Sequence, residues 1–165
     1  MLEVDVQVAA GNWPEQTDWQ ALASRAIAAA AHQSGVKLRD GAEVAVMLAD
    51  DATVKELNSV WRAQDKPTNV LSFQSIATDR LATAPALGDI ILAGETVARE
   101  ATEEAKSFEA HATHLLVHGF LHLIGFDHQE DADAERMEAL EVAVLATLGI
   151  ADPYAELSAP EARSA

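Results

Sequence analysis

The sequence predicts an α+β domain, a mixed four-stranded sheet packed by helices, and three observations carry that expectation. Strand-like and helix-like stretches alternate as far as Ala93, whereas nearly everything from Glu95 onward reads as helix. No internal repeat or interior linker divides the 165 residues, a length suited to one core. The apolar share of 49% and the charged share of 23% are those of an ordinary globular domain.

Each element has its own signal. Leu2 to Ala9 alternates apolar and polar residues as a half-buried strand does, and Asn12-Trp13-Pro14 interrupts it. Thr17 or Asp18 caps a helix that runs to about Gln33 and stops at Gly35, with Trp19, Leu22, Ala23, Ala26, Ile27 and Ala30 on one face. Glu43 to Ala49 is a second strand. Asp50 and Asp51 open a helix with Val54, Leu57 and Trp61 as its apolar face, in which Thr53 and Glu56 have capping-box spacing. Pro67 follows the end of that helix, and Val70-Leu71-Ser72-Phe73 forms a third strand. After a loop from Asp79 to Ala86, Gly88-Asp89 leads into Ile90 to Ala93, a fourth strand whose unbroken apolar run signals burial on both faces. Glu95 to Lys106, Glu109 to about Ile124 and Asp131 to Leu148 are helices. Residues 1–150 are thus expected as a single domain, and residues 151–165, with Pro153 and Pro160, as a flexible tail. The acids of the last helix read as a solvated face, and Trp13, Trp19 and Trp61 as packing residues.

Composition removes several classes. With no cysteine there are no disulfides and no thiolate metal ligands. Met1 to Asp5 alternates apolar and acidic residues, unlike a secretory signal, and the alanine-rich run from Ala21 to Ala31 is too short to span a bilayer. A cytoplasmic protein without membrane partners is expected. The net charge of −16 opposes approach to nucleic acid. It is unevenly placed, however: Gln129 to Ala165 carries nine acids against Arg136 and Arg163, whereas Lys55 to Arg80 has a net charge of +1.

Five of the six histidines lie between positions 111 and 128. His118 and His122 are four residues apart and share one face of a helix. Gly125 can take a left-handed conformation, end the helix and return the chain so that His128 reaches the same point. Three imidazoles fill three of four tetrahedral positions and leave the fourth to water, the pattern of catalytic zinc. The spacing H-x-x-x-H-x-x-G-x-x-H matches metzincin peptidases, but their Glu after the first histidine, the general base, is replaced by Gly119. A peptidase is therefore disfavoured. His114 lies one turn before His118 on the same face and is a candidate catalytic or substrate-contacting residue, or one that supports the ligands from behind.

His118 to His128, the run from Asn58 to Phe73 and Gly88-Asp89-Ile90 together resemble the YbeY family of bacterial endoribonucleases and rRNA maturation factors. The resemblance implies zinc on His118, His122 and His128, and an active cleft lined by Arg62. It further implies RNA, as an rRNA precursor, for substrate. Small-subunit rRNA maturation and ribosome quality control follow as roles, with ribosomal proteins or small-subunit assembly factors as partners. Three positions depart from common family residues: Gln74 for Pro, Asn69 for Asp and Phe126 for Tyr. The residue chemistry agrees with a phosphodiesterase. Zinc lowers the pKa of a bound water toward neutrality, and the planar guanidinium of Arg62 suits a phosphate, with Lys66 as a further cation. Two other classes fit the same residues: a non-catalytic ribosome assembly factor with a structural zinc, and a zinc hydrolase of another substrate.

Overall fold

The computed structural model describes residues 1–62, 68–75, 80–127 and 130–154, with the backbone alone at Trp61 and Arg62. The order is β1 (Glu3–Val8), α1 (Trp19–Ser34), β2 (Glu43–Ala49), α2 (Asp51–Arg62), β3 (Val70–Gln74), β4 (Ala86–Ala93), α3 (Gly94–Glu103), α4 (Phe108–Leu123) and α5 (Asp131–Thr147). The sheet runs β1-β2-β4-β3. β1 and β4 are parallel to β2, and β3 is antiparallel to β4, so the expected mixed sheet of four strands is observed.

Local chemistry explains the boundaries. The Asp18 carboxylate accepts from the backbone N–H of Ala21 at 3.0 Å and starts α1, and Gly35 ends it at φ 68°. Asp50 accepts from the N–H of Thr53 at 2.9 Å. Asp50 is thus the residue that caps α2, and the Thr53–Glu56 pair, expected as a capping box, lies inside the first turns. At the same end Asp51 accepts from both the backbone N–H and the hydroxyl of Thr96, at 3.0 and 2.9 Å, which ties the start of α2 to the start of α3.

β4 begins earlier than its apolar run suggested, because Gly88 carries the strand through a register shift against Glu43 and Val44. Its φ is 146°, and a Cβ there would stand 2.1 Å from the carbonyl oxygen of Phe73. Only glycine permits this approach of β3 to β4.

The sheet separates two apolar clusters. Alternation along β4 sends Ile90 and Leu92 to the larger one, with Ile27, Leu116 and Phe120 of the helices α1 and α4, while Ile91 joins Val54 and Leu71 beneath α2. All of Ile90 to Ala93 is buried, as a strand covered on both faces must be. Trp13, Trp19 and Phe108 meet edge to face, with ring centroids 5.3–5.8 Å apart, and lock the start of α1 to the start of α4.

Substituting Gly88→Ala sets a methyl group against a backbone oxygen and strains φ as well. It should destabilise the fold by about 3 kcal/mol or more in urea denaturation. A loss below about 0.5 kcal/mol, the range of a neutral surface change, would contradict this account of β4.

Candidate metal centre

Helix α4 carries the histidine stripe. The Ser107 hydroxyl caps it, accepting from the N–H of Ala110 at 3.0 Å. His111, His114, His118 and His122 recur at steps of three and four, so they run along one side of the helix. Successive ring centroids are 6.2, 6.5 and 4.7 Å apart, and the shortest separation is that of His118 and His122. Past the helix, Gly125 adopts φ 103°. Its N–H bonds to the His122 carbonyl at 3.1 Å and that of Phe126 to the Leu121 carbonyl at 3.0 Å, the paired bonds that close a Schellman turn. The chain therefore reverses after His122 as Gly125 predicted. His128, expected to return to the same point, lies outside the described residues, as does Lys66. Among the described residues no group of three or more His, Asp or Glu side chains is placed to hold a metal ion. Arg62 is the last residue of α2.

Sequence reasoning missed the residue at the centre of this stripe. Glu141 of α5 is fully buried, and its two oxygens serve three side chains. Oε1 lies 2.7 Å from Nε2 of His114 and accepts from the Tyr154 hydroxyl at 2.6 Å, while Oε2 lies 2.8 Å from Nδ1 of His118. Burial pushes the Glu141 carboxyl upward, but the hydrogen bonds from His114 and His118, the charge of His118 and the Tyr154 hydroxyl outweigh it. They hold its pKa at about 2, below the ordinary 4.5. Burial and the adjoining carboxylate push the Tyr154 phenol well above its usual value. The expected solvated face of α5 holds at Glu135 and Glu138, which are exposed, and fails at Glu141. A signal was present: Met137, Glu141, Val144 and Leu145 share one buried helical face, so an acid sits on the apolar stripe. Tyr154 falls in the segment expected to be a flexible tail, yet Pro153 before it is buried. A second carboxylate serves His111, whose Nε2 is 2.8 Å from Glu100.

The sheet-facing side of α4 explains Gly119. A Cβ there would lie 2.9 Å from Cγ2 of Ile90 and 3.0 Å from the Ser72 hydroxyl, and that hydroxyl donates to the Gly119 carbonyl at 3.0 Å. The opposite face of the sheet holds a cavity of about 680 Å³ lined by Asp5, Gln7, Met47, Leu57, Phe73 and Asp89 among others, with no histidine among the described residues of its walls. The histidines and not this cavity define the candidate centre.

A family model described as endoribonuclease YbeY matches residues 7–149. The chain belongs to the YbeY endoribonuclease family. A relative named endoribonuclease YbeY in Bradyrhizobium diazoefficiens is 54% identical over 156 residues, covering 92% of this chain and 85% of its own. One of the same name in Sphingopyxis alaskensis is 53% identical over 167 residues, covering 94% and 99%. The solution structure of a Thermotoga maritima protein shares the fold at TM-score 0.58 and 24% identity, over 97% of this chain and 93% of that one. Two of the positions read from the sequence as departures have visible roles. The Gln74 amide donates to the carbonyls of His122 and Leu123, both at 3.2 Å, and so braces the end of α4 from β3. Asn69 donates to Glu100 at 3.0 Å, a bond that an ionised aspartate has no proton to make.

Two outcomes follow. Alanine raises helix propensity over glycine by about 1 kcal/mol, yet Gly119→Ala should lower stability by about 1–2 kcal/mol net, because Ile90 and Ser72 must move. A stabilised variant in urea denaturation would contradict the close approach. Because the folded pKa of Glu141 is depressed, its stabilisation is complete above pH 4.5 and is withdrawn as pH falls toward about 2. The wild type should lose stability more steeply across that window than Glu141→Gln, and equal slopes in acid titrations of stability would count against the network.

Proposed function

We propose that the chain is a zinc-dependent endoribonuclease that cuts rRNA precursors in small-subunit maturation and ribosome quality control. The observation that carries the reading is the pairing of His118 and His122 on one side of α4, with rings 4.7 Å apart and a buried carboxylate behind the first. Both imidazoles are partly exposed, which suits ligands to an ion that a substrate must reach. The donor chemistry fits zinc: imidazoles, no thiolate, and a carboxylate at the far nitrogen of one ring. His118, His122 and His128 would hold the ion.

Zinc, when bound, supplies Lewis-acid polarisation of a phosphodiester and acidification of a water. The protein's own groups do the rest. Arg62, at the end of α2, is assigned to the phosphate, where its fork of donors neutralises charge as it develops. His114 entered the sequence reading as a candidate catalytic residue. Its Nε2 is engaged by Glu141 and its Nδ1 is buried without a hydrogen bond, so it is assigned here to holding Glu141 and not to proton transfer with RNA. The relatives' name supports an RNA substrate. The negative charge of the chain supports a basic ribosomal protein, or an assembly factor with a basic surface, as the partner that brings it to RNA. No described helix is long and apolar enough to cross a membrane, and the cytoplasm is the proposed compartment.

Metal content and cleavage of a small-subunit rRNA fragment, measured side by side, test the reading. Wild type should carry about one zinc per chain and cut the RNA. His122→Ala should lose both metal and cutting, and Arg62→Ala should keep the metal while cutting about 10²–10³-fold more slowly. Zinc-replete wild type that leaves rRNA intact would overturn the proposal, and an Arg62→Ala enzyme of undiminished rate would overturn the role of Arg62.

A further inference from the structure

We propose that Glu141 is the positioning carboxylate of the metal centre, holding the His118 ring with Nδ1 turned inward so that Nε2 is the nitrogen offered to the ion. The inference rests on the zinc reading above and adds to it a residue 23 positions beyond His118, on a different helix.

The geometry runs through one buried group. An ionised carboxylate only accepts hydrogen bonds, so each of the three atoms around it must bring a proton. Oε2 faces Nδ1 of His118 at 2.8 Å, and Oε1 takes His114 Nε2 at 2.7 Å and the Tyr154 hydroxyl at 2.6 Å. His118 therefore carries a proton on Nδ1, and in the neutral form that can bind a metal its lone pair belongs to Nε2. His114 is the Nε2–H tautomer, which agrees with its Nδ1 being buried without a hydrogen bond: a bare acceptor there is easier to bury than a bare N–H. His114 and Tyr154 thus fix the carboxylate, and the carboxylate fixes His118. Ligand imidazoles are commonly oriented this way, their second nitrogen bonded to a carboxylate that also raises the basicity of the ring.

A purely structural pin between α4 and α5 would use the same contacts, and the two roles differ in what they do to metal affinity. In a pin, loss of the charge changes folding alone. In a positioning residue, it changes how tightly the folded protein holds zinc.

The test is the zinc dissociation constant of the full-length protein, read by competition with a chromogenic chelator, in wild type and in Glu141→Gln. The melting temperature of both metal-stripped proteins is recorded alongside. Folded Glu141→Gln should bind zinc about 10–100-fold more weakly than wild type. Equal affinity in the folded variant overturns the inference and leaves the zinc reading standing. Wild type that takes up no zinc overturns the zinc reading and this inference with it. Should Glu141→Gln fail to fold, the histidine tautomers of zinc-loaded wild type decide, through long-range nitrogen–proton NMR correlations. A His118 that keeps its proton on Nδ1 and binds through Nε2 supports the proposal, and ligation through Nδ1 overturns it.

Discussion

The close approach of α4 to β3 and β4 at Gly119 is the constraint on which the site depends. There is no room for a Cβ between the helix and Ile90, and Ser72 bonds the helix backbone itself. Contact of this kind fixes the rotation of α4 as well as its distance from the sheet. With Gly119 against the strands and Phe120 and Leu116 in the core, the residues at 111, 114, 118 and 122 are left along the side that meets α3, α5 and solvent. The absence of a glutamate after His118, which set the sequence apart from peptidases, has a packing reason of its own. Even a methyl group there would force Ile90 and Ser72 to move.

Behind that stripe stand carboxylates that would be unfavourable to bury alone. An unpaired buried charge is worth several kcal/mol of destabilisation on the order of 3–5 kcal/mol. Glu141 avoids this because three donors surround it, two from α4 and one from beyond α5. The cluster is therefore cooperative: each member is positioned by a group that it in turn satisfies. It also joins α4, α5 and Tyr154 into one unit. That coupling runs from the C-terminal side of the domain to His118, a ring proposed as a metal ligand.

Much of this was legible in the residues, for identifiable reasons. The strands and helices followed from periodicity and from caps such as Asp18 and Gly35, which act within one turn. His118, His122 and the turn at Gly125 were legible because four-residue spacing and a glycine stop are local properties. Glu141 was not. Its partners lie on another helix, and an acid in a helix crowded with exposed acids looks like its neighbours until its place on the Met137–Leu145 face is noticed. The start of β4 was missed because Gly88 reads as a turn residue, whereas here it is the one residue small enough to let two strands touch. The opening of α2 at Asp50 and Asp51 was legible for the same reason as the other caps, although the capping-box spacing of Thr53 and Glu56 plays no part in it.

Membership of the YbeY endoribonuclease family and a four-stranded mixed sheet with a histidine-bearing helix set the frame. Within it the central claim is that the α4 stripe, braced by Glu141 and by the fit at Gly119, presents imidazoles to a metal. X-ray absorption at the zinc edge of the loaded full-length protein measures this directly. Three imidazole nitrogens at about 2.0–2.1 Å with one oxygen-type ligand, in four-coordinate geometry, are the predicted result. A six-coordinate shell of oxygens with no imidazole scattering would contradict it.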